Sequence, residues 1–253
     1  MPLVQGSLLL EKANDHGFAV PAFRIRTPEV ALEILKTARE ENSPLFICIP
    51  ADIVEWISPV VSFIRESVGL LGVYASLHME GVRDLSSVAL ALKFGFNSVG
   101  LDNGGRSFLE SVEFTRKVVS ICTPAGVSVD ADVGYETVTP EIAGEFALKT
   151  GVGSLRVGPE AVQAVKCETN MPVTVGELRG TYEDVRKVVS AGADSVLEGA
   201  GVETAFVNSL KEALATGDGD LLRIMDVALS GVREVALKHI RACGSSGKVS
   251  LLL

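Results

Sequence analysis

The sequence predicts an α/β protein, a single (β/α)8 barrel of the TIM type over residues 1–253, with one helix ahead of the first strand and an extra helix after the eighth unit. Three observations carry this. Short β-branched runs alternate with helix-period segments along the whole chain, the pattern of βα units in a parallel sheet. Eight such runs occur, and eight parallel strands suggest closure. No linker or low-complexity stretch divides the 253 residues, and one barrel commonly takes about 200–250 residues.

Taken in order, the strand-like runs are 18–24, 44–49, 73–78, 98–101, 127–132, 154–157, 172–175 and 195–197. Helix starts separate them. Thr27-Pro28-Glu29 and Thr139-Pro140-Glu141 each place a capping threonine before a first-turn proline, and Ser107 with Glu110 has the capping-box spacing. A weak repeat, Gly95-Phe96-Asn97-Ser98-Val99, Gly151-Val152-Gly153-Ser154-Leu155 and Gly192-Ala193-Asp194-Ser195-Val196, ends a helix and enters strands four, six and eight. An open doubly wound sheet would usually show a glycine-rich phosphate loop after its first strand, where this chain has Arg24-Ile25-Arg26-Thr27. The segment from about Leu221 to Cys243 reads as the extra amphipathic helix, and Gly244-Ser245-Ser246-Gly247 as a flexible tail.

Composition narrows the function. With 23 Lys plus Arg against 32 Asp plus Glu, the net charge is −9, which argues against nucleic acid or an anionic membrane as partner. Apolar stretches such as 45–50 fall far short of the ~18 residues of a membrane helix, and no basic leader precedes an apolar run. A soluble, cytoplasmic protein with reduced thiols at Cys48, Cys122, Cys167 and Cys243 is expected.

A barrel builds its site at the C-terminal ends of its strands. Those ends carry Arg24, Arg26, Asp52, His78, Glu80, Asp102, Asn103, Asp130, Asp132, Arg156, Glu177, Arg179 and Glu198. Such a ring is either a solvated rim or a functional site. Of the three histidines, His16 falls at the opposite end and His239 in the terminal helix, so only His78 can face the mouth. A histidine-rich zinc site is therefore out of reach. No strand end carries the lysine that Schiff-base chemistry needs. The carboxylates Glu80, Asp102 and Asp132 are the candidate catalytic groups, either for proton transfer or around a hard cation such as Mg²⁺. Arg24, His78, Asn103, Arg156, Glu177 and Arg179 are the candidate ligand-binding groups, the arginines suiting a small anionic metabolite.

Residues spread along the chain resemble the class II, zinc-dependent fructose-bisphosphate aldolases and their tagatose-bisphosphate relatives. The likeness runs through Pro2-Leu3-Val4, Ala22-Phe23, Glu40-Glu41-Asn42-Ser43-Pro44, Gly95-Phe96-Asn97-Ser98-Val99 with Asp102, the segment 126–134, and the segment 240–248. The resemblance implies a barrel fold, sugar-phosphate chemistry and dimers or larger assemblies. Its chemical motifs are replaced. The family's His-x-Asp-His is His78-Met79-Glu80-Gly81 here; its Glu-Leu-Gly is Asp132-Val133-Gly134. Its Gly-Thr-x-His-Gly aligns with Gly158-Pro159-Glu160-Ala161-Val162, and its His-Gly-Gly-Ser-Gly with Gly176-Glu177-Leu178-Arg179-Gly180. Its Asn-x-Asn-Thr-Asp is Leu197-Glu198-Gly199-Ala200-Gly201. All three zinc histidines are missing, and the family's two long loops look trimmed to 135–138 and 159–167. The expectation is a non-catalytic aldolase-like protein without zinc that binds a small anionic metabolite, a sugar phosphate or a protein partner, and that forms homo-oligomers or pairs with an active paralogue. The alternative is an enzyme of different chemistry built on the three carboxylates.

Overall fold

The computed structural model describes residues 3–253 apart from Glu55, Ile57, residues 135–137, Arg179 and Asp218. It opens with α1 (Gly6–His16), then alternates β1 (Val20–Arg24), α2 (Pro28–Glu40), β2 (Leu45–Pro50), α3 (Ser58–Leu71), β3 (Ala75–Val82), α4 (Leu85–Phe94), β4 (Ser98–Leu101) and α5 (Phe108–Cys122). The second half continues with β5 (Ser128–Asp132), α6 (Pro140–Thr150), β6 (Ser154–Val157), α7 (Val162–Thr169), β7 (Val173–Glu177), α8 (Tyr182–Ser190) and β8 (Ser195–Glu198). Two helices, α9 (Gly201–Ala215) and α10 (Leu221–Ala242), complete it. All strands are parallel, and β8 pairs back onto β1 to close the barrel.

The expected helix starts are built as the sequence implies. Thr27 and Thr139 accept hydrogen bonds from the amides of Val30 and Ile142, and Ser107 with Glu110 forms a capping box. The third strand departs from expectation by running past His78 to Val82. A register shift between Met79 and Val82 accommodates this, with Gly81 at φ +72°, a conformation that glycine adopts without Cβ strain.

Alternation along the strands decides what the barrel encloses. Outward positions such as Phe23, Ile47, Leu77, Val99, Ala131, Leu155, Val173 and Val196 are apolar and pack under the helices in the main core. Inward positions are mostly small or polar: Ser98, Asp130, Arg156, Thr174 and Ser195 all face the interior. Most barrels fill this space with layers of branched aliphatic side chains; here it is hollow. At the N-terminal end, α1 plugs the barrel through Leu9, Leu10 and Ala13, which join Phe18, Val20, Ala22, Phe46 and Cys48 in a second apolar cluster. Gly6 makes that fit possible, since a Cβ there would stand 2.6 Å from the Ser128 hydroxyl and 2.9 Å from that of Ser98.

Two loop expectations need correction. The segment 244–247 is not a flexible tail: Ser245 is fully buried, its hydroxyl hydrogen-bonds that of Ser43 at 2.8 Å, and the amides of Gly247 and Val249 donate to the carbonyls of Glu41 and Asn42. These long-range bonds hold a composition that is floppy in isolation. The segment 159–167 is not an open loop either, because a 3-10 turn at Pro159–Ala161 leads directly into α7. Tyr135, Glu136 and Thr137 of the other trimmed loop lie outside the described residues. Among the described residues, no helix is long and apolar enough to cross a membrane.

Candidate functional site

The strand ends carry charged side chains into several adjoining spaces, one of about 500 Å³ lined by Asp132, Arg156 and Glu160, and two that hold Arg24 and Glu80. One is an inner cavity of about 220 Å³ that runs from Leu10 of the plug up to Arg24, Glu80 and Glu177. The other is an outer opening of about 600 Å³, lined by Glu80, Asp102 and Asp132 together with Arg24, Arg83 and Arg156. The three expected catalytic carboxylates therefore do meet over one opening.

Each is held differently. Glu80, buried, receives Nε and Nη2 of Arg24, the second at 3.2 Å, while Nη1 of the same guanidinium reaches Glu177 at 3.0 Å. The bond to Glu80 raises the Arg24 pKa further, against the opposing effect of burial, so the guanidinium is a permanent cation. Asp102 is gripped by Arg83, Nε at 2.8 Å and Nη2 at 2.6 Å, and accepts the Gly104 amide at 2.9 Å. Burial works to raise the pKa of Asp102, but the Gly104 amide and Arg83 together bring it below the ordinary carboxylate range. Among the described residues, Asp132 accepts the Asn103 amide at its Oδ1, at 3.0 Å, and burial raises its pKa.

Below this rim, Arg156 donates to Asp130 at 2.6 Å, and the other oxygen of Asp130 accepts from Ser154 and Thr174, each at 2.9 Å. His78 lies in the same tier as these groups. Its Nδ1 is 2.8 Å from the Ser98 hydroxyl, and burial together with neighbouring Arg156 lowers its pKa to about 4, leaving the ring neutral at pH 7. Gly100 provides the room: a Cβ there would overlap the Arg156 guanidinium and stand 2.6 Å from His78 Nε2.

Of the expected ligand-binding residues, Arg24, His78, Arg156 and Glu177 line the inner cavity. Asn103 does not reach either space. It is fully buried, its side-chain amide donating to the Asp132 carbonyl at 2.8 Å and to Thr115 at 3.0 Å, so it positions the Asp132 loop rather than a ligand. Arg179 lies outside the described residues. The sequence reading missed Arg83 as the partner of Asp102 and left Asp130 unpaired. Barrel register contains the second signal, because Asp130 pairs with Ser154 and so stands diagonally beside Arg156.

The residues present do not fit the zinc that the family resemblance implies. Glu80 is engaged by Arg24, His78 is the one histidine lining the inner cavity, and among the described residues no group of three His, Cys, Asp or Glu side chains is placed to hold a metal ion.

A closed parallel barrel with its polar groups gathered over the C-terminal strand ends defines a TIM-barrel protein. Residues 4–171 match the class II fructose-bisphosphate aldolase family, and the chain belongs to that family. It is 28% identical to a fructose-bisphosphate aldolase of Helicobacter pylori over 275 aligned positions, covering 92% of this chain and 86% of the relative. In three dimensions it is similar to the YdjI aldolase of Escherichia coli K12, with a TM-score of 0.90 at 23% identity over 98% of this chain and 99% of that one. A fructose-bisphosphate aldolase of Campylobacter jejuni gives 0.86 at 14% identity, covering 98% and 97%. These two structural likenesses bear on the fold.

Proposed function

We propose that this chain is a non-catalytic member of the class II aldolase family that binds a small polar metabolite in its barrel. The observation that carries the reading is the Arg24 bridge: one guanidinium engages both oxygens of Glu80 and one of Glu177, the position where the family resemblance calls for a free catalytic acid. Carbonyl polarisation in a zinc aldolase also requires a metal held with an open coordination position, for which the described residues offer no donor set. The test is direct. Purified protein supplied with zinc should neither cleave fructose 1,6-bisphosphate nor retain one zinc per chain. Chelator-sensitive turnover would overturn the reading.

Asp132 favours a second reading, an enzyme of different chemistry. Its carboxyl faces the opening with a raised pKa and, among the described residues, one protein donor at its Oδ1, the condition of a general acid or base. Turnover of any small carbonyl compound that is lost in Asp132→Asn, with folding intact, would favour this reading over the first.

A further inference from the structure

The inner cavity and the start of α9 together indicate which class of molecule the barrel takes. Two arginines, Arg24 and Arg156, face three carboxylates, Glu80, Asp130 and Glu177, around the cavity, while His78 is neutral. Each arginine is already paired. A phosphate dianion entering here would meet, among the described residues, a wall of net negative charge whose arginines are already engaged, so its desolvation cost is poorly offset.

The usual phosphate place in a barrel is the loops after the last two strands and the N-terminus of a following helix, because exposed amides and the helix dipole attract an anion there. In this chain that place is filled from within. The Glu198 carboxylate turns onto the start of α9 and accepts the Val202 amide at 3.2 Å, with the Gly201 amide also directed at it. Glu177 covers the preceding turn, where a Cβ on Gly199 would stand 2.5 Å from its Cγ and Oε2. The cradle therefore already holds a carboxyl group belonging to the chain, whose pKa burial raises while the Val202 and Gly201 amides work to lower it.

What remains in the cavity is matched to hydroxyl groups. The Ser98, Thr174 and Ser195 side chains line it, with Thr174 donating to Asp130 and Ser195 to the Val20 carbonyl, which leaves oxygen lone pairs toward the interior. His78 is 7% exposed, and its Nε2 has no hydrogen-bond partner among the described residues. Leu10, Ala22, Phe46 and Leu197 supply apolar surface for C–H groups. The volume of about 220 Å³ lies below the ~300–1,000 Å³ of pockets for drug-sized ligands, so the occupant is short.

We infer that the cavity holds a short unphosphorylated polyol, about three or four carbons long, and that Glu198 stands in for the phosphate such a barrel would otherwise grip. This rests on the ligand-binding reading above and makes its small polar metabolite a neutral one, in place of the anionic metabolite the sequence led us to expect.

The experiment is calorimetric titration of wild type, Thr174→Val, Glu198→Ala and Glu198→Gln with erythritol, inorganic phosphate and dihydroxyacetone phosphate, each variant first shown to unfold cooperatively. Wild type should bind erythritol, one per chain, and neither phosphate compound. Thr174→Val should weaken erythritol about tenfold, the scale of one lost hydrogen bond to a ligand hydroxyl. Glu198→Ala should gain phosphate binding, whereas Glu198→Gln, which keeps an acceptor on the α9 amides, should not. Phosphate or dihydroxyacetone phosphate bound by wild type more tightly than erythritol overturns the ligand class and leaves the ligand-binding reading standing. Erythritol binding without a phosphate gain in Glu198→Ala overturns the role of Glu198. Binding of none of the three overturns the ligand-binding reading itself.

Discussion

Arg24 on β1 and Glu80 on β3 reach over the intervening strand β2 and meet through two parallel N–H···O contacts, Nε to Oε1 and Nη2 to Oε2. The third arm of the guanidinium crosses to Glu177 on β7. One side chain thus ties strands on opposite sides of the barrel mouth, and it does so at 21% side-chain exposure, where water screens the pairs only in part.

Removing that tie leaves two carboxylates facing each other across the cavity. Arg24→Ala is expected to destabilise the fold by about 3 kcal/mol, the scale for stranding a buried charge. Arg24→Ala combined with Glu80→Gln should recover part of the loss. Urea unfolding of the three proteins measures both, and a single-variant loss under about 0.5 kcal/mol, the scale of an ordinary surface substitution, would show that the bridge is only a solvated surface contact.

Two buried histidines make the fold sensitive to mild acid. Burial lowers both His78 and His239 to about 4, His239 lying fully inside the α10 interface with Nε2 on the Val196 carbonyl at 3.0 Å. Unfolded, each titrates near its ordinary value of about 6.5, so between those values the unfolded chain binds more protons. Stability from this source is complete above pH 6.5 and is lost as pH falls toward 4, on the order of 3 kcal/mol per histidine. Denaturant midpoints from pH 7.5 to 4.5 should fall accordingly, and His239→Gln should flatten the slope even if it lowers the plateau. A flat wild-type profile would contradict the burial of both rings.

Gly100 is expected to be intolerant of any side chain. Gly100→Ala places a methyl against the Arg156 guanidinium and 2.6 Å from His78 Nε2, and overpacking of this kind costs about 1–3 kcal/mol. Because Arg156 would have to leave Asp130, the cavity should also lose its ligand. Thermal melts and erythritol titration check the two effects separately; an unchanged melt would mean that the guanidinium relocates freely.

The seam between residues 43 and 245 gives a smaller prediction. Ser245→Ala removes the 2.8 Å hydrogen bond to the Ser43 hydroxyl in a fully buried place, at a cost of about 1 kcal/mol. Proteolysis after residue 243 should quicken in proportion. An unaltered cleavage rate would indicate that the backbone bonds from Gly247 and Val249 hold the segment unaided.

Much of the fold is legible because the outward strand positions carry a local signal: branched residues such as Ile47, Val99 and Val196 recur with helix caps between them. The fate of 244–247 is not local. Serine and glycine there look loose until Ser43, 202 positions away, supplies a partner. The same division runs through the site. Glu80, Asp102 and Asp132 are readable as strand-end carboxylates and do share an opening. That Arg83 rather than Arg24 serves Asp102 depends on how β3 extends through Gly81, which no spacing rule foretells. Asn103 misleads for a related reason, since its polar side chain points into the turn it stabilises.

The plug formed by α1 has a bearing on rates as well as on packing. With Leu9, Leu10 and Ala13 packed into one end, the barrel is a flask whose neck lies at the strand ends, and Arg24 stands in that neck between Glu80 and Glu177. Anything that leaves by that neck passes the ion pair, and an occupant wide enough to press on it has to part it. Added salt, which loosens such a pair, would then quicken filling and emptying alike while leaving the balance between them unmoved, so this barrel would set how long it keeps its contents separately from how much it prefers them.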